Sequence, residues 1–373
     1  MTMKCPAPVA AGVLVLISST CPAVAQAPLP APRVVSLGEG IYVLHNPRAN
    51  ESWPQSNSLV VVGSKAVLVV DANYLPGTAQ GDIDIIRGLT DKPVRYLVNT
   101  HWHYDHTNGN SVYRREFPGL SIVAHPETRR LLRENSPRYL ASVLAPDSPV
   151  RKSVRNSRKV LTELGDTGDT ADRSLYQRRL AQRELELAQL ATVVTELPDR
   201  LVDRELALDL GGRRVLIRHF GRGNTPGDLV VILPRERIVA TGDLVVSPVP
   251  YAYNSSPGSW IGVLDSILAL GPAIVVPGHG EIQRAESGSS AADPLVRSIG
   301  YVRAVRALLF EVVEQTRVAY RAGRTVEEAR ASIDFEPYRR QFAGEEEFLR
   351  QVFVGSIVTA LVDRAWAEAQ GAT

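Results

Sequence analysis

The stretch NTHWHYDH, residues 99–106, governs how the rest of this sequence is interpreted. It follows the apolar run VRYLV, residues 94–98, whose length and composition predict a buried strand. Three histidines and one aspartate fall within six positions, and these are ligand types for zinc and similar divalent ions. Because alternate residues at a strand end point the same way, His101 and His103 can bind one ion. We therefore predict a metal site here.

The first 25 residues have the organisation of a secretory signal peptide. Lys4 is the only charged side chain in them, a short apolar stretch follows it, and AVA at 23–25 offers a cleavage site. A lipid anchor at Cys21 is the alternative. We predict export, to a bacterial periplasm, with residues 26–33 as an extended, proline-rich linker.

Composition indicates an ordinary globular protein. The chain has 373 residues, is 44% hydrophobic and carries a formal net charge of +2. Such a charge gives no indication of nucleic acid or an anionic membrane surface as a partner, so we expect a small-molecule substrate and no membrane contact beyond the signal peptide. Cys5 and Cys21 are the only cysteines, and export would remove both, which excludes disulfides and thiolate ligands.

Strand and helix signals alternate after the linker. Apolar runs at 58–62 and 66–70 flank a glycine turn and predict a hairpin, and a helix at 79–89 then leads to the strand at 94–98. This order is typical of a layered α/β fold. Apolar residues at helical spacing over about 126–197 predict a helical insertion, which either covers one rim of the site or packs on an outer face.

Strand signals return at 205–217, 229–233, 237–240 and 273–276, the last clear strand, and the chain beyond Gly280 is predicted to be helical. We assign residues 34–285 to the principal domain and 286–373 to a C-terminal helical region. One apolar stripe of that region consists of Leu349, Phe353, Ile357 and Leu361. Such a stripe forms either a homodimer surface or an internal packing face.

Three later segments complete a recognisable set of motifs. They are GNTPGD at 223–228, TGD at 241–243 and PGHG at 277–280, and with HWHYDH they resemble the metallo-β-lactamase superfamily over residues 58–280. The resemblance implies an αββα four-layer sandwich with a metal pair at one edge of the sheets. The implied ligands are His101 and His103 for the first ion, Asp105, His106 and His279 for the second, and Asp243 between them. Asp71, after the hairpin, would brace the motif.

One position departs from the family. Asn224 stands where most members have a histidine, the third ligand of the first ion. An amide oxygen is a weaker, neutral ligand, so we expect the first site to be weak or filled only with substrate. His219 is an alternative ligand, although it shares a strand face with Val215 and Ile217, which favours a partly buried histidine that binds no ion.

The resemblance implies an exported hydrolase that holds one or two Zn²⁺ or other divalent ions. A hydroxide held by these ions would attack an amide, lactam, ester, thioester or lactone, and Asp105 would orient it and accept its proton. β-Lactamase-like activity is one possibility, and a glyoxalase II-like thioesterase is a second. With Asn224 in a ligand position, a non-catalytic metal-binding or redox-partner accessory protein is a third. Tyr251 and Tyr253, with Trp260, either line the substrate pocket or serve only in packing.

Overall fold

The computed structural model describes residues 31–46, 55–165, 170–285 and 296–371. The predicted signal peptide and most of the predicted linker lie outside these residues, so export stays a prediction. In the described part of the chain, no helix combines the length and the apolar composition needed to cross a membrane.

Two sheets of seven strands form the centre of the protein. The first sheet contains β1 (Arg33–Gly38), β2 (Ile41–His45), β3 (Ser58–Val62), β4 (Val67–Val70), β5 (Val94–Val98), β6 (Ser121–Ala124) and β7 (Arg200–Leu201), in that order. The second contains β8 (Glu205–Asp209), β9 (Arg214–Arg218), β10 (Val230–Leu233), β11 (Ile238–Val246), β12 (Ile274–His279), β13 (Ile282–Arg284) and β14 (Val296–Ser298). Strands β4 to β7 run parallel to one another, and β11 runs parallel to β12.

Helices cover both outer faces. Those before the second sheet are α1 (Pro76–Leu89), α2 (Tyr104–Thr107), α3 (Asn110–Glu116), α4 (Pro126–Leu144), α5 (Pro149–Leu164) and α6 (Thr170–Leu190). The later ones are α7 (Pro257–Ala269), α8 (Gly300–Arg321), α9 (Val326–Ser332), α10 (Glu336–Phe342), α11 (Glu347–Phe353), a π-helix (Val354–Leu361) and α12 (Val362–Ala369).

Side-chain alternation in the strands explains the layers. In β3, Leu59 and Val61 pack in the layer between the two sheets, and Val60 packs with α1 and α3 on the outer face. In β10, Val231 joins the central layer while Val230 packs against α7 and α8. Because both faces of these strands are buried, their sequences are continuous apolar runs. The predicted αββα sandwich is confirmed.

The helical insertion contacts the metal motif. The ring of Tyr139 in α4 stacks on Tyr104 in the motif, with ring centroids 3.8 Å apart and planes 12° apart. The side chain of Gln189 in α6 accepts a hydrogen bond from the amide of Gly77 at the start of α1. Of the two placements considered for this insertion, these contacts favour the one at the rim of the site.

Two expectations about the C-terminal half are wrong. The chain beyond Gly280 is not all helical, because the short strands β13 and β14 extend the second sheet. Strands β11 and β12 also run past the predicted ends at 240 and 276, so that they include Asp243 and His279. Three-residue strands carry too little periodicity to be recognised. They are strands because β13 pairs with β12 and β14 pairs with β13.

The apolar stripe of the C-terminal region is internal. Leu349, Phe353, Ile357 and Leu361 are all buried in the core formed with α7 and α8. The stripe therefore packs on its own domain and does not supply a dimer surface.

Candidate metal centre and cavity

The motif at 99–106 is held in place by the aspartate that follows β4. Asp71 Oδ1 accepts the backbone N–H of Thr100 at 2.8 Å, and Oδ2 accepts a hydrogen bond from the Thr100 hydroxyl at 2.9 Å. Nδ1 of His106 lies 2.8 Å from the same Oδ2. Because β4 and β5 are parallel neighbours, Asp71 and the motif emerge at the same edge of the first sheet.

The second sheet brings two more polar side chains to this edge. Asp243 lies in β11 and His279 ends β12, the parallel neighbour of β11. Glycines permit this close approach. A Cβ at Gly278 would lie 2.1 Å from Asp243 Oδ1, and Gly242 adopts φ 51° with its Cβ position 2.3 Å from the Thr100 hydroxyl. Any larger residue at either position would displace the candidate ligands.

Four side chains surround one point. His106 Nε2 lies 3.2 Å from His279 Nε2, 3.2 Å from Asp243 Oδ1 and 3.8 Å from Asp105 Oδ2. His279 Nε2 lies 3.0 Å from Asp105 Oδ2 and 3.5 Å from Asp243 Oδ1. Ligands about 2.1 Å from a tetrahedral zinc ion would be about 3.4 Å apart, so this group has the dimensions of a four-ligand ion site.

A second, adjoining group contains the other two histidines. His101 Nε2 lies 2.8 Å from His103 Nδ1 and 3.6 Å from Asp243 Oδ2. Asn224 is fully buried, and its Nδ2 donates to the carbonyl oxygen of Tyr251. That contact fixes the orientation of the amide and leaves Oδ1, which finds no hydrogen-bond partner in the described part of the chain. The arrangement is what an oxygen ligand for an ion would need.

The outward nitrogens of the four imidazoles all have protein partners. They are Thr100 Oγ1 for His101 at 3.0 Å, Asn254 Oδ1 for His103 at 3.0 Å, Asp71 Oδ2 for His106 at 2.8 Å and the Gln55 carbonyl for His279 at 3.0 Å. If each outward nitrogen carries the proton, the inward nitrogens present lone pairs to one another. Only a cation between them makes this arrangement favourable, so the donor set fits divalent metal.

Burial and neighbouring charges shift the pKa values of His101 and His106 in opposite directions. Burial lowers the pKa of His101 well below its usual range, and the three neighbouring histidines act in the same direction. Burial also lowers the pKa of His106, but the carboxylates of Asp243, Asp71 and Asp105 outweigh it and raise this pKa overall. The site thus concentrates negative charge around His106, where a positive ion is stabilised.

The structure brings most of the predicted site residues to one place. His101, His106 and Asp243 form one group of potential ligands, and Asp105, His106 and His279 form another. His219 does not join either group: its Nδ1 lies 2.9 Å from the Asp228 carbonyl, and its ring stacks on His125 at 4.2 Å. Ligation itself stays a prediction.

A cavity of about 390 Å³ opens beside these groups. His103, Asp105, Asp243 and His279 line its polar end. Tyr251 and Tyr253 form part of its wall, whereas Trp260 is fully buried in the core and donates to the Leu244 carbonyl. The volume is in the range of small-molecule sites.

Several residues at this site were not found from the sequence. Asn254 contacts His103 across 151 positions of chain, and no motif surrounds it. Phe348, Leu349 and Val352 in α11 line the cavity, although their spacing indicates only a packing face. The sequence shows that Asn254 is a polar residue in the loop that follows β11, but this does not predict a role for it.

Comparison with known proteins agrees with this geometry. The sequence profile of the metallo-beta-lactamase superfamily matches residues 52–279. The linear primary-alkylsulfatase of Pseudomonas sp. (strain ATCC 19151) is 22% identical over 313 residues, which are 79% of this chain and 54% of that protein. This chain therefore spans about half the length of that curated relative.

Solved structures share the fold at low identity. A metallo-beta-lactamase from Pontibacter korlensis is 16% identical, with a TM-score of 0.51 over 75% of this chain and 99% of its own. The inverting sec-alkylsulfatase Pisa1 from Pseudomonas sp. is 14% identical, with a TM-score of 0.59 over 90% of this chain and 50% of its own.

Proposed function

The chain belongs to the metallo-beta-lactamase superfamily of metal-dependent hydrolases, and from that premise we propose that it hydrolyses ester bonds in substrates with an apolar group. Sulfate esters of alkyl alcohols are the first substrate class to test. The observation that carries this proposal is a largely apolar cavity that opens directly on the candidate ligands. A substrate could place its reacting bond at the polar end and its apolar group along the remaining walls.

Divalent ions at such a site would polarise the substrate and make water nucleophilic near neutral pH. The ligand groups described above would hold them. Asp105 lines the cavity, and although burial raises its pKa, His106 and His279 outweigh this effect and hold the pKa below its usual range. Its carboxylate is therefore ionised and can orient the attacking water and accept its proton.

Tyr251, whose ring centroid lies 5.6 Å from that of His103, is the candidate donor. Burial raises the pKa of its hydroxyl above the usual value, with further contributions from Asp105 and Tyr253, so the group stays protonated. A protonated hydroxyl beside the reacting bond can donate a hydrogen bond to the oxygen on which charge develops. We expect Tyr251 to serve in this way.

Similarity to alkylsulfatases is the reason for testing sulfate esters first. Among the described residues that line the cavity there is no lysine or arginine. An anionic substrate group would thus be stabilised only at the polar end, by the ions. The alkylsulfatase structure also matches a larger share of this chain than the β-lactamase structure does, 90% against 75%.

The test is turnover by zinc-loaded and chelated protein. Octyl and decyl sulfate, a matched carboxylic ester, a lactone, a thioester and nitrocefin form the panel, and metal content is measured on the same samples. We expect metal-dependent cleavage of the alkyl sulfates or carboxylic esters, loss of activity in His106→Ala, and no change in Val318→Ala on the exposed face of α8. If nitrocefin alone is cleaved, the protein is a β-lactamase, and if the thioester alone is cleaved, it is a thioesterase. Bound metal without turnover of any substrate would indicate an accessory role.

A further inference from the structure

We propose that α11 forms the binding site for the apolar tail of the substrate and sets the chain length that is accepted. The inference rests on the proposed function for the identity of the substrate, an alkyl or acyl ester. It assigns a specificity role to a helix that lies outside the superfamily match at 52–279.

One face of α11 lies along the cavity. Phe348, Leu349 and Val352 line it, and their spacing of three and four residues places them on the same side of the helix. Phe353, one helical turn after Leu349, is 1% exposed and packs in the core against Phe335. The edge of the helix formed by Leu349 and Phe353 therefore anchors it in the core, and Phe348 and Val352 beside that edge present apolar surface to the cavity.

Phe348 leaves much apolar surface uncovered. It lines the cavity and is 41% exposed, whereas the neighbouring Leu349 is only 8% exposed. Val246, Val249 and Tyr253 add apolar surface to the same cavity. Apolar surface gathered in a concave site is stabilised when an apolar group of a ligand covers it.

The segment after α11 also contacts the loop that carries Tyr251 and Tyr253. In the π-helix, the Ser356 hydroxyl donates to the Pro250 carbonyl at 2.7 Å and accepts the Ala252 N–H at 2.9 Å. A Cβ at Gly355 would lie 2.5 Å from the Tyr253 hydroxyl, so this glycine lets the loop approach closely. The C-terminal region thus lines the cavity with α11 and also positions the loop that carries further lining residues.

Binding of non-hydrolysable ligands tests the proposal. Calorimetric titration of the zinc-loaded full chain with n-alkane-1-sulfonates, from butanesulfonate to decanesulfonate, should give affinities that rise about fourfold for each methylene until the cavity is filled. Phe348→Ala should weaken the binding of decanesulfonate by about tenfold and leave the binding of butanesulfonate almost unchanged. Val352→Phe, which enlarges the side chain, should shorten the longest chain that binds well.

The matched control is Val354→Ala. Val354 is 52% exposed next to α11 and is not part of the cavity wall, so its variant should bind the whole series like the unmodified protein. Equal losses in the Phe348 and Val354 variants, or affinities that do not depend on chain length, would overturn the proposal. Alkanesulfonates contain no ester bond, so their binding tests the tail site separately from hydrolysis. If affinity rises with chain length but no ester is hydrolysed, the tail site is supported and the proposed hydrolase activity is rejected. If esters are hydrolysed but affinity does not depend on chain length, the activity is supported and the tail site is rejected.

Discussion

Asn224 is the predicted ligand that differs most in chemistry from the others. The other ligand groups consist of imidazoles and carboxylates, whereas this position offers a buried, neutral amide oxygen. The Tyr251 carbonyl holds the amide nitrogen, so the oxygen alone is available to an ion. A second amide, that of Asn254, contacts His103, so the predicted first site would depend more on amide groups than the second.

We expect Asn224→His to tighten the first ion by about tenfold or more, since an imidazole nitrogen is a stronger ligand than an amide oxygen. Asn224→Ala should weaken it. Competition titration with a chromophoric zinc chelator measures both affinities, and the affinity of the second ion is the internal control. If the alanine and histidine variants both bind the first ion as the unmodified chain does, Asn224 is not a ligand.

At the scale of elements, α1 contains a carboxyl group that is costly to ionise. Asp82 is fully buried against the first sheet, Oδ2 accepts a hydrogen bond from Asn73 at 2.6 Å, and Oδ1 is without a hydrogen-bond partner within the described residues. Burial raises the pKa of Asp82 to about 7. The helix is therefore packed most favourably while this side chain is protonated.

This raised pKa predicts how stability depends on pH. Between about pH 4 and pH 7 the folded chain keeps a proton on Asp82 that the unfolded chain has lost, so the free energy of unfolding should fall as pH rises, by at most about 1.4 kcal/mol per pH unit. Asp82→Asn should make the free energy of unfolding depend less on pH in this range. Compared with the unmodified protein, the variant should become more stable as the pH approaches 8. Urea unfolding of both metal-free proteins across the range measures the difference. Asp228, whose pKa burial also raises to about 7, remains in both proteins, and parallel profiles would contradict the prediction.

Strand patterns and loop contacts differ in how far the sequence specifies them. The hairpin of β3 and β4 was predicted because both faces of these strands are almost entirely buried and their apolar runs are continuous, and β5 was predicted although its Arg95 is exposed. Strands β13 and β14 were not, because three residues carry no period. The cavity-lining residues of α11 have the same spacing as a packing face, so periodicity could not distinguish the two.

At the scale of the whole molecule, the candidate ions would connect the two sheets. His101 and His106 follow β5 in the first sheet, whereas Asp243 and His279 belong to β11 and β12 in the second. A bound ion therefore resists separation of the sandwich at this edge. Without it, inward-facing imidazoles and carboxylates at 3.0 to 3.8 Å would have to be stabilised by protons alone.

Removal of metal should accordingly lower stability. An ion present at about a thousand times its dissociation constant adds about 4 kcal/mol to the free energy of unfolding. Thermal unfolding followed by circular dichroism, before and after chelation, should show a lower midpoint without metal and recovery when zinc is restored. His279→Ala should show a smaller change on chelation. Superimposable melts of the loaded and chelated chain would rule out structural ions at this edge.

The sequence by itself predicted the principal strands and the ligand cluster around HWHYDH, because ligand chemistry and strand periodicity are local properties of the chain, and its resemblance to the metallo-β-lactamase superfamily implied the αββα fold. Only the tertiary structure decided that Asn254 contacts His103, that the oxygen of Asn224 is left available, and that α11 lines the cavity. These contacts join segments that are distant in sequence, and the packing of two sheets and the C-terminal helices brings them together. No local sequence pattern predicts that these distant segments come together.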